Sequence, residues 1–220
     1  MELLISLCGT VLLTFVGVLL FNIAERTLKQ SDKNESCFCS FPMRGTILSM
    51  IIVNLCLALL LSIYYQKGSL VVFRTILTCC ILWPCAWADL RAYLIPNRVL
   101  LVGMILGILF LTVQILFYHE QVAYLFISTV VAVGALIIVS LFCRLLSSKM
   151  VGMGDVKLLG VMGLCLGMEY IWTALFVSFF LMFIVCLVLL VIRRIKRNDS
   201  IPFAPFLLMG TIMAAALCGI

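Results

Sequence analysis

Long apolar runs separated by short polar segments make up most of the sequence. A helix that crosses a bilayer needs about 20 mostly apolar residues, and eight runs approach or reach this length. We predict membrane spans at Leu3–Ile23, Thr46–Tyr65, Leu70–Ala88, Val99–Tyr118, Val122–Cys143, Val156–Met168, Tyr170–Ile192 and Phe203–Gly219. Val156–Met168 is the weakest of them, since it is short and contains three glycines. The pattern predicts an all-α, polytopic integral membrane helix bundle.

The composition indicates that lipid is the solvent of this chain. Of the 220 residues, 65% are hydrophobic and 11% are charged, whereas soluble domains carry about 25% charged residues. We therefore predict a single membrane-embedded domain over residues 1–220, with 24–45 as a short cytoplasmic loop. The 11 cysteines lie mostly within apolar runs, where a free cysteine acts as a small hydrophobic residue.

Basic residues give the predicted orientation in the cell membrane. With the N-terminus outside, the cytoplasmic loops hold all but two of the 15 lysines and arginines; the loops are 24–45, 89–98, 144–157 and 193–202. The exceptions are Lys67 and Arg74. Cytoplasmic loops carry such an excess of basic residues, so the net charge of +6 reports topology. It does not indicate a nucleic-acid partner, because no basic patch is interleaved with exposed aromatic residues.

The scarcity of ionisable side chains excludes several kinds of catalysis. The single histidine, His119, falls in a predicted outer loop. This excludes an H-E-x-x-H zinc site and a serine mechanism that needs a histidine base. A serine–lysine pair drawn from Ser147, Ser148 and Lys149 stays formally possible, although these residues lie in an ordinary basic cytoplasmic loop.

Two acidic residues differ from the other carboxylates, which lie in termini or loops. Asp89 follows one apolar run and Asp155 precedes another, and the topology places both at the cytoplasmic boundary. A charge at the centre of a membrane helix costs roughly 2.5–3.5 kcal/mol, so an acid near hydrocarbon usually has a partner or a task. Two neighbouring carboxyl groups share a proton and can hydrolyse an amide as general acid and base. The structural alternative is that each acid caps a helix or pairs with Arg91 or Lys157.

The sequence around each acid adds detail to this hypothesis. Gly152 and Gly154 precede Asp155 and permit a sharp turn or a close approach of another chain. Pro96 follows Asp89 and can open the next span at its first turn. A third segment begins the last span with two prolines and two phenylalanines, including Pro202 and Phe203.

These three segments resemble, in the same order, the motifs of the type IV prepilin peptidases, which are GxGD-type membrane aspartic peptidases. The motifs are Asp89 with the I-P element at Pro96, G-M-G-D-V-K-L-L from Gly152 through Lys157 to Leu159, and I-P-F-A-P-F from Ile201 to Phe206. The resemblance covers about residues 80–220.

The resemblance implies eight spanning helices and a catalytic pair at Asp89 and Asp155. It also implies an aspartic endopeptidase that removes short basic leaders at the cytoplasmic face of the membrane. Its partners would be pilin-like or pseudopilin precursors with a hydrophobic N-terminal helix, in type IV pilus or protein secretion systems. No cofactor is implied for peptide hydrolysis.

One departure from the family concerns a second activity, N-methylation of the new N-terminus, which would use S-adenosylmethionine. Many members carry two C-x-x-C pairs between the first two spans, whereas this chain has only Cys37 and Cys39 there. Two cysteines cannot supply the four thiolates of a tetrahedral zinc site in this loop. We therefore expect neither a metal site nor the methyltransferase activity.

Two other function classes stay open at the level of sequence. The chain could be a small transporter that uses Asp89 and Asp155 as a proton or cation relay, although transport sites usually lie near the membrane midplane. It could also be a membrane scaffold that keeps the fold without activity, although both acids and both motif glycines, Gly152 and Gly154, are present.

Overall fold

The computed structural model describes residues 2–31, 43–64, 69–117, 127–134, 136–138, 152–192 and 201–218. These residues form helices and contain no β-strand, which confirms the predicted all-α class. In chain order the helices are α1 (Glu2–Ser31), α2 (Met43–Leu59, continued by a π-helical turn at Leu60–Tyr64), α3 (Ser69–Ala92), α4 (Asn97–Phe117), α5 (within Ile127–Ile138), α6 (Met153–Val191) and α7 (Ala204–Cys218).

Several helices in the described part of the chain are long and apolar enough to cross a membrane. They contain the stretches Ile5–Leu28, Arg44–Ile63, Val71–Ala92, Asn97–Leu116 and Tyr170–Val191. Two further apolar helices, Ile127–Ile138 and Ala204–Leu217, are shorter. The architecture is a helical membrane bundle, as the hydrophobic pattern predicts.

Helix α6 consists of two segments. Its 39 residues would extend ~58 Å as one straight helix, about twice the ~30 Å thickness of the hydrocarbon core. At Gly167 the backbone leaves the helical conformation, with φ 70° and ψ −178°. The first segment of α6 (153–166) and the second segment of α6 (168–191) match two predicted spans, Val156–Met168 and Tyr170–Ile192. Each of the eight predicted spans therefore contains a described helical segment.

Helix α3 is the centre of the bundle. In an 18-residue window of its apolar stretch Val71–Ala92, 83% of the residues are buried, whereas the value for such a window of Tyr170–Val191 is 17%. Helices α1, α2, α4, α6 and α7 all contact α3. Side chains such as Ile81 and Leu82 pack against Leu158 and Met162 of α6 in the main core. Charged groups carried by α3 are consequently removed from lipid and held against other helices.

The helix ends differ from the predicted span ends. α1 continues to Ser31 and α3 to Ala92, so parts of the predicted loops 24–45 and 89–98 are helical. The reason is that loss of hydrophobicity marks where hydrocarbon ends, whereas a helix with satisfied backbone hydrogen bonds can extend into the polar interface. The connection between α3 and α4 is thereby reduced to residues 93–96.

Candidate active site

Asp89 lies inside α3, in its last turn, and is only 6% exposed. This corrects the predicted position at the start of a loop, because the helix continues past the apolar run. Its neighbours Cys85, Ala86 and Ala88 are buried too. The carboxyl group is therefore held within the bundle and not at a free loop.

The beginning of α7 meets this carboxyl group. The backbone N–H of Ala204, the first residue of α7, donates a hydrogen bond to Asp89 Oδ2 at 2.9 Å, and the N–H of Phe203 also bonds to Asp89. The first N–H groups of a helix lack partners within the helix, and this end carries partial positive charge. Asp89 thus supplies the acceptor that the N-terminus of α7 requires.

Asp155 lies in the first turn of α6, as the sequence predicts for an acid presented at a helix start. The N–H of Gly152 donates to Asp155 Oδ2 at 3.3 Å, so the acid caps its own helix. Asp155 precedes the apolar run that begins at Val156. Its partial burial raises the pKa of the Asp155 carboxyl, because desolvation disfavours the charged form, while the Gly152 N–H acts in the opposite direction.

The two acids lie near each other although they come from different helices. The negative charge of Asp155 acts on the carboxyl group of Asp89. Around them, a Cβ placed on Gly154 would lie 3.1 Å from Ile95 Cβ, so the start of α6 packs directly on the connection between α3 and α4. Lys157 Nζ donates to Asn97 Oδ1 at 3.0 Å, which joins α6 to the start of α4.

The connection after Asp89 is a sharp turn. The Tyr93 N–H donates to the carbonyl of Asp89 at 2.9 Å, and Tyr93 has φ 50°, a left-handed conformation that is uncommon for an aromatic residue. The carbonyl of Pro96 accepts from Val99 and Leu100 at 3.1 and 3.2 Å. Pro96 therefore immediately precedes the first residue of α4, close to its predicted place in the first turn.

The third motif segment prepares the start of α7. Pro202 is buried, and the Phe203 carbonyl accepts from Phe206 and Leu207 at 3.1 and 3.3 Å. The Phe203 ring lies 5.7 Å from the ring of Phe179 in the second segment of α6. The three sequence motifs thus meet at one end of the bundle, where Asp89 and Asp155 are close to each other.

Arg74 is a buried charged residue whose role the sequence interpretation missed. The charge pattern indicates only an outer-side charge, whereas the Arg74 side chain is 6% exposed and its Nε donates to the Cys165 carbonyl at 3.1 Å. That carbonyl belongs to the last turn before the break at Gly167. One sequence feature does indicate a structural role for Arg74: it lies inside the predicted span Leu70–Ala88, and a charge within a span requires a partner.

Several residues considered in the sequence lie outside the described residues: His119, Ser147, Ser148, Lys149, Cys37 and Cys39. Within the described ranges, no group of three or more histidine, cysteine or acidic side chains is arranged to hold a metal ion. Arg91, one of the two alternative ion-pair partners, lies with its guanidinium carbon 4.3 Å from the centre of the Trp87 ring.

Comparison with known proteins identifies a family for this chain. A family model of type IV leader peptidases matches residues 76–191, a stretch that contains both Asp89 and Asp155 and more than half of the chain. No curated protein and no solved structure matches the sequence. The match covers the first two of the three motifs and confirms the family resemblance, and the chain belongs to the type IV leader peptidase family.

Proposed function

We propose that this chain is a membrane aspartic endopeptidase that removes the short basic leader of type IV prepilin-like precursors, with Asp89 and Asp155 as the catalytic pair. Membership of the family gives the general activity, a leader peptidase that acts on pilin precursors. The observation that supports the aspartic mechanism is that α3 and α6 bring two acids to the same end of a membrane bundle, where the start of α6 packs on the connection that follows Asp89.

The chemistry follows from two carboxyl groups that cannot easily both be ionised. They share one proton, so one carboxyl is charged and the other neutral. The charged member removes a proton from water, and the resulting hydroxyl attacks the peptide carbonyl while the neutral member donates its proton to the carbonyl oxygen. The acid that took the proton of water then passes it to the leaving nitrogen, while the other acid takes a proton back from a hydroxyl of the intermediate. The carbonyl re-forms, the C–N bond breaks and the leader is released. Hydrolysis requires no cofactor, and S-adenosylmethionine would be needed only for a retained methyltransferase activity, which we do not expect.

The cytoplasmic side is the proposed location of the reaction. Arg91, Arg98 and Lys157 all belong to the end of the bundle that carries Asp89 and Asp155, and cytoplasmic segments carry an excess of basic residues. In this proposal the N-terminus lies outside. A precursor with a basic leader followed by an apolar helix inserts with its leader on the same inner side, where it can reach the two acids.

The test is co-expression with candidate pilin-like precursors from the same genome, followed by mass measurement of the precursor. We expect Asp89→Asn and Asp155→Asn each to abolish leader removal, because an amide can neither accept the proton of water nor share one with the other acid. Glu25→Gln, which removes a carboxylate on α1, serves as the control and should process normally. Full processing by either aspartate variant would refute the catalytic pair.

A proton or cation relay through the same acids is the competing hypothesis. In proteoliposomes, the proposed peptidase gives no ion flux that depends on Asp89 and Asp155. A flux that disappears in both asparagine variants, together with normal leader removal by them, would favour transport instead. The same mass measurement reports methylation, because it adds one methyl group to the processed N-terminus.

A further inference from the structure

We propose that the N-terminus of α7 is a third part of the active site, in which the backbone N–H of Ala204 positions the carboxyl group of Asp89. This inference rests on the proposed function. Ala204 is a positioning residue, since it acts on the acid and not on the substrate. The side chain at this position is small and buried, so the backbone is the part that contributes.

The first observation is the direction of the hydrogen bond. Ala204 N–H points at Asp89 Oδ2 at 2.9 Å in a buried setting, from a residue 115 positions later in the chain. A bond to one oxygen of a carboxyl group restricts rotation about its Cβ–Cγ bond. The direction of the other oxygen is thereby fixed as well, and a general acid or base must be aligned with water and the peptide carbonyl to function.

The second observation is that α7 has no acceptor of its own at this end. Helices usually begin with Ser, Thr, Asp or Asn, whose side chain accepts from the first N–H groups. The residue before Ala204 is Phe203, which has no such acceptor. The N–H groups at the start of α7 are instead satisfied by Asp89 of α3, so the missing local cap makes this helix end available to the acid.

The third observation is that α7 itself is held firmly. A Cβ on Gly210 would lie 2.6 Å from the backbone of Ser178, so the two helices are in backbone contact there. Phe203 contacts Phe179 at a second place. Leu207, in the first turn of α7, is fully buried in the main core. The start of α7 is therefore fixed by packing, and the Ala204 N–H is held in a constant position relative to Asp89.

The experiment removes the N–H and leaves the side chain unchanged. Replacing Ala204 with lactic acid, the ester analogue of alanine, deletes this single donor. Ala204→Pro also removes this N–H with an ordinary residue that suits the first position of a helix, although its ring replaces the buried methyl group. Ala204→Ser retains the N–H with a similar side chain and is the matched control. Each purified enzyme is assayed on a full-length precursor for kcat and KM.

We expect the ester and proline variants to lose about 10- to 100-fold in kcat, the range for a hydrogen bond to a charged group, with KM within about twofold. Ala204→Ser should stay within about twofold of the unsubstituted enzyme in both. Thermal unfolding in detergent distinguishes lost positioning from lost folding. An ester variant with normal kcat would overturn the inference, as would equal losses in Ala204→Ser.

Asp89→Asn, assayed alongside, separates this inference from the proposed function. If that variant is inactive and the ester variant is normal, only the role of Ala204 is wrong. If Asp89→Asn itself retains full activity, the proposed catalytic pair is wrong, and the Ala204 inference falls with it.

Discussion

The central helix α3 carries two buried charged side chains, Arg74 near its beginning and Asp89 near its end, each 6% exposed. Each faces the end of another helix. Arg74 donates to the carbonyl of Cys165 in the last turn before the break in α6, and Asp89 accepts from Ala204 at the start of α7. The carbonyl end of a helix is partially negative and the N–H end partially positive. Both charges are therefore compensated by backbone.

Among the described contacts, the difference between the two regions is the second acid beside Asp89. Asp89 lies near Asp155, which carries the same charge, whereas Arg74 has the polar contacts of a structural clamp at a helix break. Two like charges in a partly buried site destabilise the fold unless they share a proton. Such an arrangement is typical of a site that performs chemistry. Burial alone is thus a poor guide to function, since the side chains of Arg74 and Asp89 are equally buried.

The largest expected effect is a contrast between the two ends of α3: loss of the charge at Arg74 should lower stability, whereas loss of the charge at Asp89 should abolish activity. Arg74→Met should lower the free energy of unfolding by about 2 kcal/mol, because the Cys165 carbonyl loses a charged donor, while the folded fraction keeps its peptidase activity. Asp89→Asn should abolish activity without lowering the thermal unfolding temperature, since asparagine still accepts from Ala204 N–H. Unfolding in detergent and specific activity measure the contrast.

Arg98→Met is the control for this contrast, because Arg98 is an exposed arginine on α4. It should leave both unfolding and activity unchanged. The interpretation of Arg74 as a structural clamp would be wrong if Arg74→Met abolished hydrolysis in protein that is folded and inserted.

The second prediction concerns the break that Arg74 holds. Gly167 has φ 70°, and a Cβ there would lie 2.5 Å from Arg74 Nη2. Gly167→Ala should therefore cost about 1–3 kcal/mol of unfolding free energy, the usual range for an unfavourable backbone conformation. Gly160→Ala is the matched control in the same helix, because no atom lies within 4 Å of its added Cβ. If Gly167→Ala and Gly160→Ala have the same free energy of unfolding, the non-helical backbone at Gly167 is not required for stability.

The sequence predicted the spans well because hydrocarbon imposes a simple rule on length and polarity. It also indicated Asp89 and Asp155, since acids at a membrane boundary are rare. The contact between Ala204 and Asp89 could not be predicted, because it joins a backbone N–H to a side chain 115 residues away. A backbone donor has no sequence signature. The contact of Arg74 with the Cys165 carbonyl was not predicted either. A count of basic residues on each side of the membrane treats an arginine within a span as if it were in a loop.

The third prediction tests the packing that brings Asp155 to this end of the bundle. Gly154 lies in the first turn of α6 and packs against Ile95, so of the two roles that the sequence allows, a sharp turn and a close approach, the structure shows the close approach. Gly154→Val should lower peptidase activity about tenfold or more, because a small displacement of a catalytic group has a large effect on rate. Gly154→Ala should have a weaker effect. Normal activity of the valine variant would show that this contact is dispensable.

The smallest expected effect is at Lys157, although it belongs to the same motif as Asp155. Its Nζ bonds to Asn97 Oδ1 at 3.0 Å in an exposed position, and substitutions at such surface positions usually change stability by less than about 0.5 kcal/mol. Lys157→Gln and Asn97→Ala should each reduce activity by about threefold or less. The double variant should have the same activity as each single variant, because both substitutions remove the same contact between Lys157 and Asn97. A loss as large as that of Asp155→Asn would instead mean that Lys157 acts on the proposed catalytic pair directly. A side-chain charge would then act at this end of the bundle, whereas Arg74 donates to a backbone carbonyl.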